Sequence, residues 1–542
     1  MSGWNFADIF EAVAAERGDA PALINGDRMI SYGEFDRRSD ALAQAFLDAG
    51  MGHQAKVAAF LYNCPEYNET YFAAYKAGMV PLNTSYRYEA EELFYLFDNA
   101  DAEAVVFHAG FAGKLDGIRA RLPHVKAWVC VPEPDIDCPG WAINHDEVVA
   151  GTPASRPVRG PWGRSGDDLM LLYTGGTTGM PKGVMWRQDD LIRATGLGGY
   201  ATELIEPLEN LSAVPQWLNS FAPPVTLVAC PLMHGTGGFS ATVALQQGGT
   251  VVTLPSRSFD PQEVWSEVER NAATRLIIVG QAFGAPLLAA LDAEPGRWKI
   301  DTIRTILSSG TMWNLENKRG LLRHMPGAML VDGFSSSEAL GMGASISTAA
   351  GEFDTAKFAI GPECAVFGED EQPVEPGSGV RGLVAVGGFL PVGYYKDQAK
   401  TDATFKTIGG KRWSVPGDWA EVHADGTLTL LGRGSQCINT GGEKVFPEEV
   451  EEALKRHPAI RDAAVVGLPD ERFGERICAV VEVHDGAEKP ELAELSDHVK
   501  GQLAGYKAPR ALFIVNSIGR APTGKMDYKG VKAMATALAG AG

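Results

Sequence analysis

The sequence predicts an α/β fold, with a large N-terminal domain of parallel-rich βαβ sheets, a small β-barrel-like part within it, and a small C-terminal α+β domain. Three observations carry this expectation. Short β-branched or apolar runs alternate with helix-length segments through most of the 542 residues, which is the pattern of βαβ units and parallel sheet. From about Gly379 it gives way to short strands and turns. A small polar stretch, Gly432-Arg433-Gly434-Ser435-Gln436, then precedes renewed helix and strand patterns.

Along the chain, strands are expected at Val57–Leu61, Ala104–Phe107, Thr226–Cys230, Thr250–Leu254, Leu276–Val279 and Thr305–Leu307. Helix-length segments such as Glu66–Ala77 and Pro261–Asn271 lie between them. Ala424-Asp425-Gly426-Thr427, between Glu421-Val422 and Leu428–Leu431, reads as a hairpin turn. Pro447-Glu448-Glu449 opens a helix with proline in its first turn and acids at its positive end, and Lys455-Arg456 closes it at the negative end. Strands at Ala463–Val466 and Ile477–Val483 follow. The expected division is therefore 1–432 and 437–542, joined through 433–436.

Composition excludes several classes. A formal charge of -20 argues against a nucleic-acid binder, which needs broad basic surface. Any anionic ligand must meet local positive groups instead. No run of ~18 uncharged apolar residues occurs, so no membrane span is expected. The amino terminus carries no basic segment followed by an apolar one, so secretion is not expected either. The seven cysteines, among them Cys130, Cys138 and Cys437, form no CxxC pair; they read as reduced thiols of a cytoplasmic protein, with no zinc site or disulfide framework.

The chemistry concentrates after one buried strand. Leu169–Tyr173 runs into Thr174-Gly175-Gly176-Thr177-Thr178-Gly179-Met180-Pro181-Lys182-Gly183. Such a loop offers unhindered backbone N–H groups, three hydroxyls and one ammonium, which together suit a polyphosphate. It is not a Walker loop, because no Gly-Lys-Ser/Thr ends it and no helix pattern begins there.

The ten-residue pattern resembles the phosphate loop of the adenylate-forming superfamily, which comprises acyl-CoA synthetases, firefly luciferases and nonribosomal adenylation domains. Further matches follow in the family's order over nearly the whole chain. Pro231-Leu232-Met233-His234 resembles the segment whose histidine borders the acyl pocket. Phe334-Ser335-Ser336-Ser337-Glu338 resembles the segment whose aromatic ring packs on adenine and whose glutamate serves magnesium. Gly417-Asp418 matches the ribose-binding aspartate, and Gly432-Arg433 the arginine beside the domain hinge. Gly441-Gly442-Glu443-Lys444-Val445 resembles the loop along the pantetheine tunnel, and Pro522-Thr523-Gly524-Lys525 the carboxy-terminal lysine of adenylation.

The resemblance implies ATP, Mg²⁺ and coenzyme A as cofactors, and a carboxylic acid as the substrate joined to CoA through an acyl-adenylate. It assigns Lys525, Glu338 and His234 to the chemistry and Thr174 with Glu338 to the metal. Nucleotide and CoA contacts fall to Thr174, Gly175, Gly176, Thr177, Thr178, Lys182, Gly310, Phe334, Ser335, Ser337, Asp418, Arg433, Ser435, Gly441 and Gly442. A mobile C-terminal domain swinging about 433–436 and a homodimer are implied as well. Departures occur at Gly176 for serine, Phe334 for tyrosine, Ser335 for glycine, Ser435 for an aspartate or lysine, and Asn439 for a lysine.

Each residue also has a plain reading: Asp418 as a turn acid, Glu338 as a helix cap, His234 as a core histidine, Lys525 as a solvated charge. The order of the motifs outweighs these, and Cys437, with no partner motif, stays structural. A P-loop kinase, a catalytically inactive acyl or nucleotide binder, and an adenylation domain serving a carrier protein are the competing functions. For the acid, the stretch Leu191–Pro224, with Leu197, Tyr200, Leu204, Ile205, Trp217, Leu218 and Phe221, reads as an apolar pocket wall. Gly280–Gly284 and Gly341-Met342-Gly343 supply small residues where the family's acyl channel runs. Together with the likeness of Tyr173–Arg187, Pro391–Asp397 and Ile438–Glu451 to bacterial ligases of lipid and sterol side-chain breakdown, these imply a bulky hydrophobic acid.

Overall fold

The computed structural model describes residues 3–153, 155–174, 180–196, 208–311, 313–351, 357–436, 438–440, 443–470, 474–503, 505–520 and 526–540. Among them lie three sheets, of fifteen, eight and five strands. In the largest, Pro21–Asn25, Thr250–Thr253, Val225–Val228, Arg275–Ile278, Thr305–Ser309 and Met329–Ser336 run parallel in that spatial order. In the second, Leu169–Thr174, Val80–Asn83, Lys56–Phe60, Ala102–His108 and Ala127–Val131 are parallel neighbours. Every residue of Thr250–Thr253 and Arg275–Ile278 is buried. Burial on both faces is what parallel strands under helices require, so burial runs continuously along them instead of alternating.

Both parallel sheets reverse their strand order partway. Val225–Val228 has its successors Thr250–Thr253 and Arg275–Ile278 on opposite sides, and Lys56–Phe60 likewise lies between Val80–Asn83 and Ala102–His108. Connections leaving such a switch point depart to opposite faces and open a crevice at the carboxyl ends of the strands.

Beyond Met329–Ser336 the large sheet turns antiparallel, through Ala339–Ser347, Lys357–Ile360, Thr427–Arg433 and Asp418–Val422. The expected barrel-like part belongs to this extension, and it is an open sheet: its strand path ends at Phe405–Ile408 without returning to the other edge. The expected turn at Ala424–Thr427 joins Asp418–Val422 to Thr427–Arg433. The five-stranded sheet of the C-terminal part pairs Ile460–Asp470 with Gly474–Val483, and helix Pro447–Lys455 opens with its proline as expected.

One expectation about the cysteines fails. Cys130 and Cys138 are disulfide-bonded, with Cα atoms 5.8 Å apart. The chain after strand Ala127–Val131 doubles back through a bridge between Glu133 and Ile136, which brings together two residues whose spacing carries no pairing signal. Cys64, Cys230, Cys364 and Cys478 are free thiols, and Cys437 lies outside the described residues.

Candidate active site

The described site residues leave the carboxyl ends of four parallel strands. Thr174 ends Leu169–Thr174, and His234 follows Val225–Val228 as the N-cap of helix Gly235–Gln246. Gly310 follows Thr305–Ser309, while Glu338 lies in the turn after Met329–Ser336. His234, Gly310 and Glu338 leave the carboxyl ends of the fifteen-stranded sheet because its parallel units repeat one direction, and Thr174 leaves the same end of a strand in the eight-stranded sheet.

Thr174 pairs directly with Lys182 across an antiparallel hairpin. The segment after the phosphate-loop stretch is therefore strand Lys182–Arg187, not a helix, as the missing Walker ending requires. Lys182 is ion-paired to Asp397, and that ammonium together with the Lys400 backbone N–H holds the Asp397 carboxyl below its ordinary range. Residues 175–179, 441–442 and 521–525 are outside the described residues, so Gly175, Gly176, Thr177, Thr178, Gly441, Gly442 and Lys525 have no structural account. Arg433 and Ser435 are described by backbone only.

Glu338 is followed by strand Ala339–Ser347, which removes the helix-cap reading. Its Oε1 accepts a hydrogen bond from the Tyr394 hydroxyl at 2.6 Å. Tyr394 is buried and sits on the two-residue strand Gly393–Tyr394, paired with Val184 of the hairpin. The Ser337 carbonyl accepts from Trp186 Nε1 at 3.0 Å, so the same hairpin braces the acidic turn twice. Phe334 is buried against Phe358, with ring centroids 5.5 Å apart. The Ser335 hydroxyl accepts from the Gly341 N–H at 3.1 Å, and Ser335 is not among the residues of positive φ. The backbone there does not demand glycine.

Thr311 Oγ1 and Ser336 Oγ, beside Gly310 and Glu338, are buried with no hydrogen-bond partner among the described residues. Buried hydroxyls without partners are uncommon, and two at one edge fit a site that a polar ligand completes. A divalent cation is suited by hard oxygen donors, few of them from protein. The Thr174 hydroxyl and the Glu338 carboxylate are such a set. Asp418 is buried at the start of its strand, register-paired with Arg433. Gly432 has φ +105°, and a Cβ there would meet the Glu448 carboxylate at 2.0 Å, so the first turn of helix Pro447–Lys455 closes on this pair.

The cavity beside His234 is apolar. Tyr67, Tyr71 and Tyr75, one turn apart on helix Pro65–Lys76, form its wall with Leu172 and Phe239. Its free volume is about 20 Å³, room for a water molecule. The stretch expected to line it does so only in part. Leu191 is in the wall, whereas Trp217 and Leu218 are buried core packed with Phe221. Leu197, Tyr200, Leu204 and Ile205 are outside the described residues. Gly284 and Gly343 are small for packing, since a Cβ would strike Asn317 Oδ1 at 2.4 Å and the Ala359 carbonyl at 2.8 Å. A larger cleft of about 830 Å³ opens at the neighbouring strand ends, lined by Arg28, Arg37, Arg38, Arg87 and Arg257. Four of these are paired with carboxylates: Glu66, Glu34, Glu69 and Glu133 respectively for Arg28, Arg37, Arg38 and Arg257. A charge-compensated wall of this kind suits neither a hydrocarbon nor a polyanion.

Tyr394, Asp397 and the tyrosine ridge are the functional candidates that sequence reasoning left without a role. Tyr394 and Asp397 stand in Pro391–Asp397, which already resembled the ligases; the tyrosines at 67, 71 and 75 had a helical spacing of four to signal them.

Residues 10–395 match the AMP-binding enzyme family, and residues 449–525 match the AMP-binding enzyme C-terminal domain. A medium/long-chain-fatty-acid–CoA/3-oxocholest-4-en-26-oate–CoA ligase of Mycolicibacterium smegmatis is 38% identical over 533 residues, covering 97% of this chain and 96% of the relative. A 3-oxocholest-4-en-26-oate–CoA ligase of Rhodococcus rhodochrous is 38% identical over 536 residues, covering 97% and 95%. Among solved structures, an anthranilate CoA ligase in complex with anthranoyl-AMP superposes with a TM-score of 0.83 at 20% identity, over 100% of this chain and 99% of that one. At that identity the likeness speaks for the fold alone.

Proposed function

The chain belongs to the AMP-binding enzyme family and is an ATP-dependent acid:CoA ligase, and from that premise we propose that its acid is a bulky hydrophobic carboxylate, either a medium-to-long fatty acid or a steroid side-chain acid. The observation that carries this is the apolar, tyrosine-walled cavity beside His234, whose wall includes Leu172 on the strand that ends at Thr174. Its relatives named for such acids support the reading. At about 20 Å³ the cavity is closed, so the acid enters by displacing side chains of the wall.

A carboxylate resists substitution because oxide is a poor leaving group. One of its oxygens attacks the α-phosphorus of ATP, the bond to the β-phosphate oxygen breaks, and pyrophosphate leaves. Positioning and charge neutralisation dominate such a step. We assign Lys525 to the α-phosphate and carboxylate oxygens, and the 174–182 loop to the departing phosphates. Thr174 and Glu338 would hold Mg²⁺, which when bound neutralises phosphate charge. Asp418 and Arg433 take the ribose, and Phe334 the adenine. The CoA thiol, with a pKa of about 8.5, is already a few per cent thiolate at neutral pH. It attacks the acyl carbon, and AMP departs with the electron pair of the broken acyl–oxygen bond.

The division into 1–432, a 433–436 hinge and 437–542 is part of this proposal, with Ser435 at the pivot and Gly441-Gly442 along pantetheine. Among the described residues, no helix is long and apolar enough to cross a membrane. Cytoplasmic residence is proposed because ATP and CoA are supplied there; the Cys130–Cys138 bridge weighs against it, and fractionation decides. A homodimer is proposed from the family likeness, with sedimentation as its test.

Pyrophosphate release over acids graded in length tests the substrate. Each buried CH₂ contributes about 0.8 kcal/mol, so kcat/KM should rise roughly fourfold per carbon until the cavity fills. A preference for acetate or an amino acid over octanoate and steroid acids overturns the reading. Product that forms with a carrier protein but not with CoA overturns the ligase assignment itself.

A further inference from the structure

Asn83 ends strand Val80–Asn83 and is buried between the two parallel sheets. Its Nδ2 donates to the Tyr173 carbonyl at 2.9 Å and to the Met233 carbonyl at 2.8 Å. Its Oδ1 accepts the Tyr173 N–H at 2.7 Å. Both amide hydrogens and one oxygen lone pair are thus committed to backbone. Tyr173 immediately precedes Thr174, and Met233 immediately precedes His234. One side chain from a third segment therefore fixes the backbone leading into both residues.

The sheet itself does not do this. Strands Val80–Asn83 and Leu169–Thr174 register only at Leu82 and Leu171, and beyond that point the Asn83 amide takes the place of the ladder. Asn63, after the adjacent strand, brackets the same far segment: its Nδ2 donates to the Cys230 carbonyl at 2.9 Å and its Oδ1 accepts the Leu232 N–H at 2.8 Å. The stretch 230–233 is held to the second sheet by two amides, and only the Asn83 amide also holds the strand that feeds the phosphate loop.

We propose that Asn83 is a positioning residue for adenylate formation, setting the spacing between the phosphate-loop entrance at Thr174 and the acid end at His234. It rests on the assignment of those two residues above. In-line attack on phosphorus is sensitive to placement, and a misfit of ~1 Å costs on the order of 100-fold. Thioester formation starts from an adenylate already built, so it does not depend on this spacing.

Asn83→Asp is close in shape but replaces both donors with an acceptor facing two carbonyls; Asn83→Ser is the second variant, read in the same way should the aspartate not fold. Three quantities are measured on the full-length enzyme: octanoate-dependent exchange of labelled pyrophosphate into ATP, thioester formation from supplied octanoyl-AMP, and Tm. The expected result is exchange down on the order of 100-fold with transfer from octanoyl-AMP within about threefold of wild type. Exchange at the wild-type rate overturns the proposal. So does a parallel fall of both half-reactions with Tm, which marks a side chain that only holds the fold. A wild-type enzyme that shows no acid-dependent exchange overturns the ligase reading and this proposal with it, whereas a silent substitution in an active enzyme overturns this proposal alone.

Discussion

Two regions of the N-terminal part use charge in opposite ways. Between helices Phe6–Arg17, Tyr32–Asp48 and Pro65–Lys76, carboxylates are answered by buried cations. Lys76, fully buried, pairs with Glu11 at 2.8 Å, Asp36 at 2.7 Å and Asp40 at 2.9 Å. Nearby, Glu69 is shared by Arg38 at 2.6 Å and His145 at 3.0 Å. At the strand edge, Glu338 is answered on one oxygen by a neutral hydroxyl, and the Lys182–Asp397 pair stays partly exposed. The first arrangement leaves no capacity for a ligand. Glu66, Glu69 and His145 have the chemistry of metal ligands, yet Arg28 and Arg38 already hold both carboxylates. Asp146 and Glu69 lift the imidazole to about 9 against the effect of burial, which favours the protonated ring, so a metal ion would have to displace both a proton and the arginines. Charges that hold the fold are saturated, and the charges proposed to serve a substrate are left half-satisfied.

Removing Lys76 should produce the largest effect. Lys76→Met leaves Glu11, Asp36 and Asp40 facing one another in a buried layer, and loss of one partner of a buried pair costs about 3–5 kcal/mol. Urea unfolding measures it, and the half-reactions of whatever protein remains folded should be unchanged. A loss below about 1 kcal/mol would mean that water reaches this layer.

The converse experiment targets the proposed chemistry. Lys525→Ala should lower adenylate formation by about 100- to 1000-fold, the magnitude of losing one stabiliser of developing negative charge. Stability and thioester formation from supplied acyl-adenylate should be retained. Equal losses in the two half-reactions would refute the assignment of Lys525 to the first.

Much of the fold was legible because buried parallel strands write themselves as short β-branched or apolar stretches, such as Leu276–Ile278 and Val251-Val252 within their strands. The chemistry was legible because the phosphate-loop pattern keeps its residue types in order. The braces were not. Asn83 reaches Tyr173 across 90 residues and Tyr394 reaches Glu338 across 56, and a side-chain hydrogen bond over such separations has no local signature. Apolar content also does not distinguish pocket wall from core, which is why Trp217 and Leu218 were expected at the cavity and are packed in the interior.

The saturated layer should also be visible through pH. His145 is raised from 6.5 to about 9 by Asp146 and Glu69, against burial. A raised imidazole stabilises the fold fully below its unfolded value, and that contribution is lost as pH climbs through about 9. Between these limits the folded state binds the extra proton, so stability falls by up to ~1.4 kcal/mol per pH unit. His145→Gln should flatten this alkaline slope in Tm. A slope unchanged by the substitution would assign it to other groups.

The smallest effect expected is the one that tests half-satisfaction itself, through Tyr394→Phe. The phenol is buried and its hydroxyl donates to Glu338 Oε1 at 2.6 Å. Removing it leaves the ring packing intact, and Glu338 is partly exposed, so water replaces the lost donor and stability should fall by less than about 1 kcal/mol. The carboxylate then loses the contact that fixes its orientation, and with it the proposed placement toward the metal and phosphates. A hydrogen bond to a charged group is worth about 1.5–3 kcal/mol when nothing replaces it, and water recovers part of that, so adenylate formation should drop about tenfold. The loss should be eased by raising Mg²⁺, because a misoriented ligand binds the ion less well without losing the ability to bind it. In the saturated layer, where each carboxylate has several partners, a single missing hydrogen bond should shift stability and leave Mg²⁺ dependence untouched. If Tyr394→Phe lowers Tm as Lys76→Met does, and leaves the Mg²⁺ dependence of adenylation at wild type, then Glu338 belongs to the structural charges and the distinction between the two regions fails at its most exposed point.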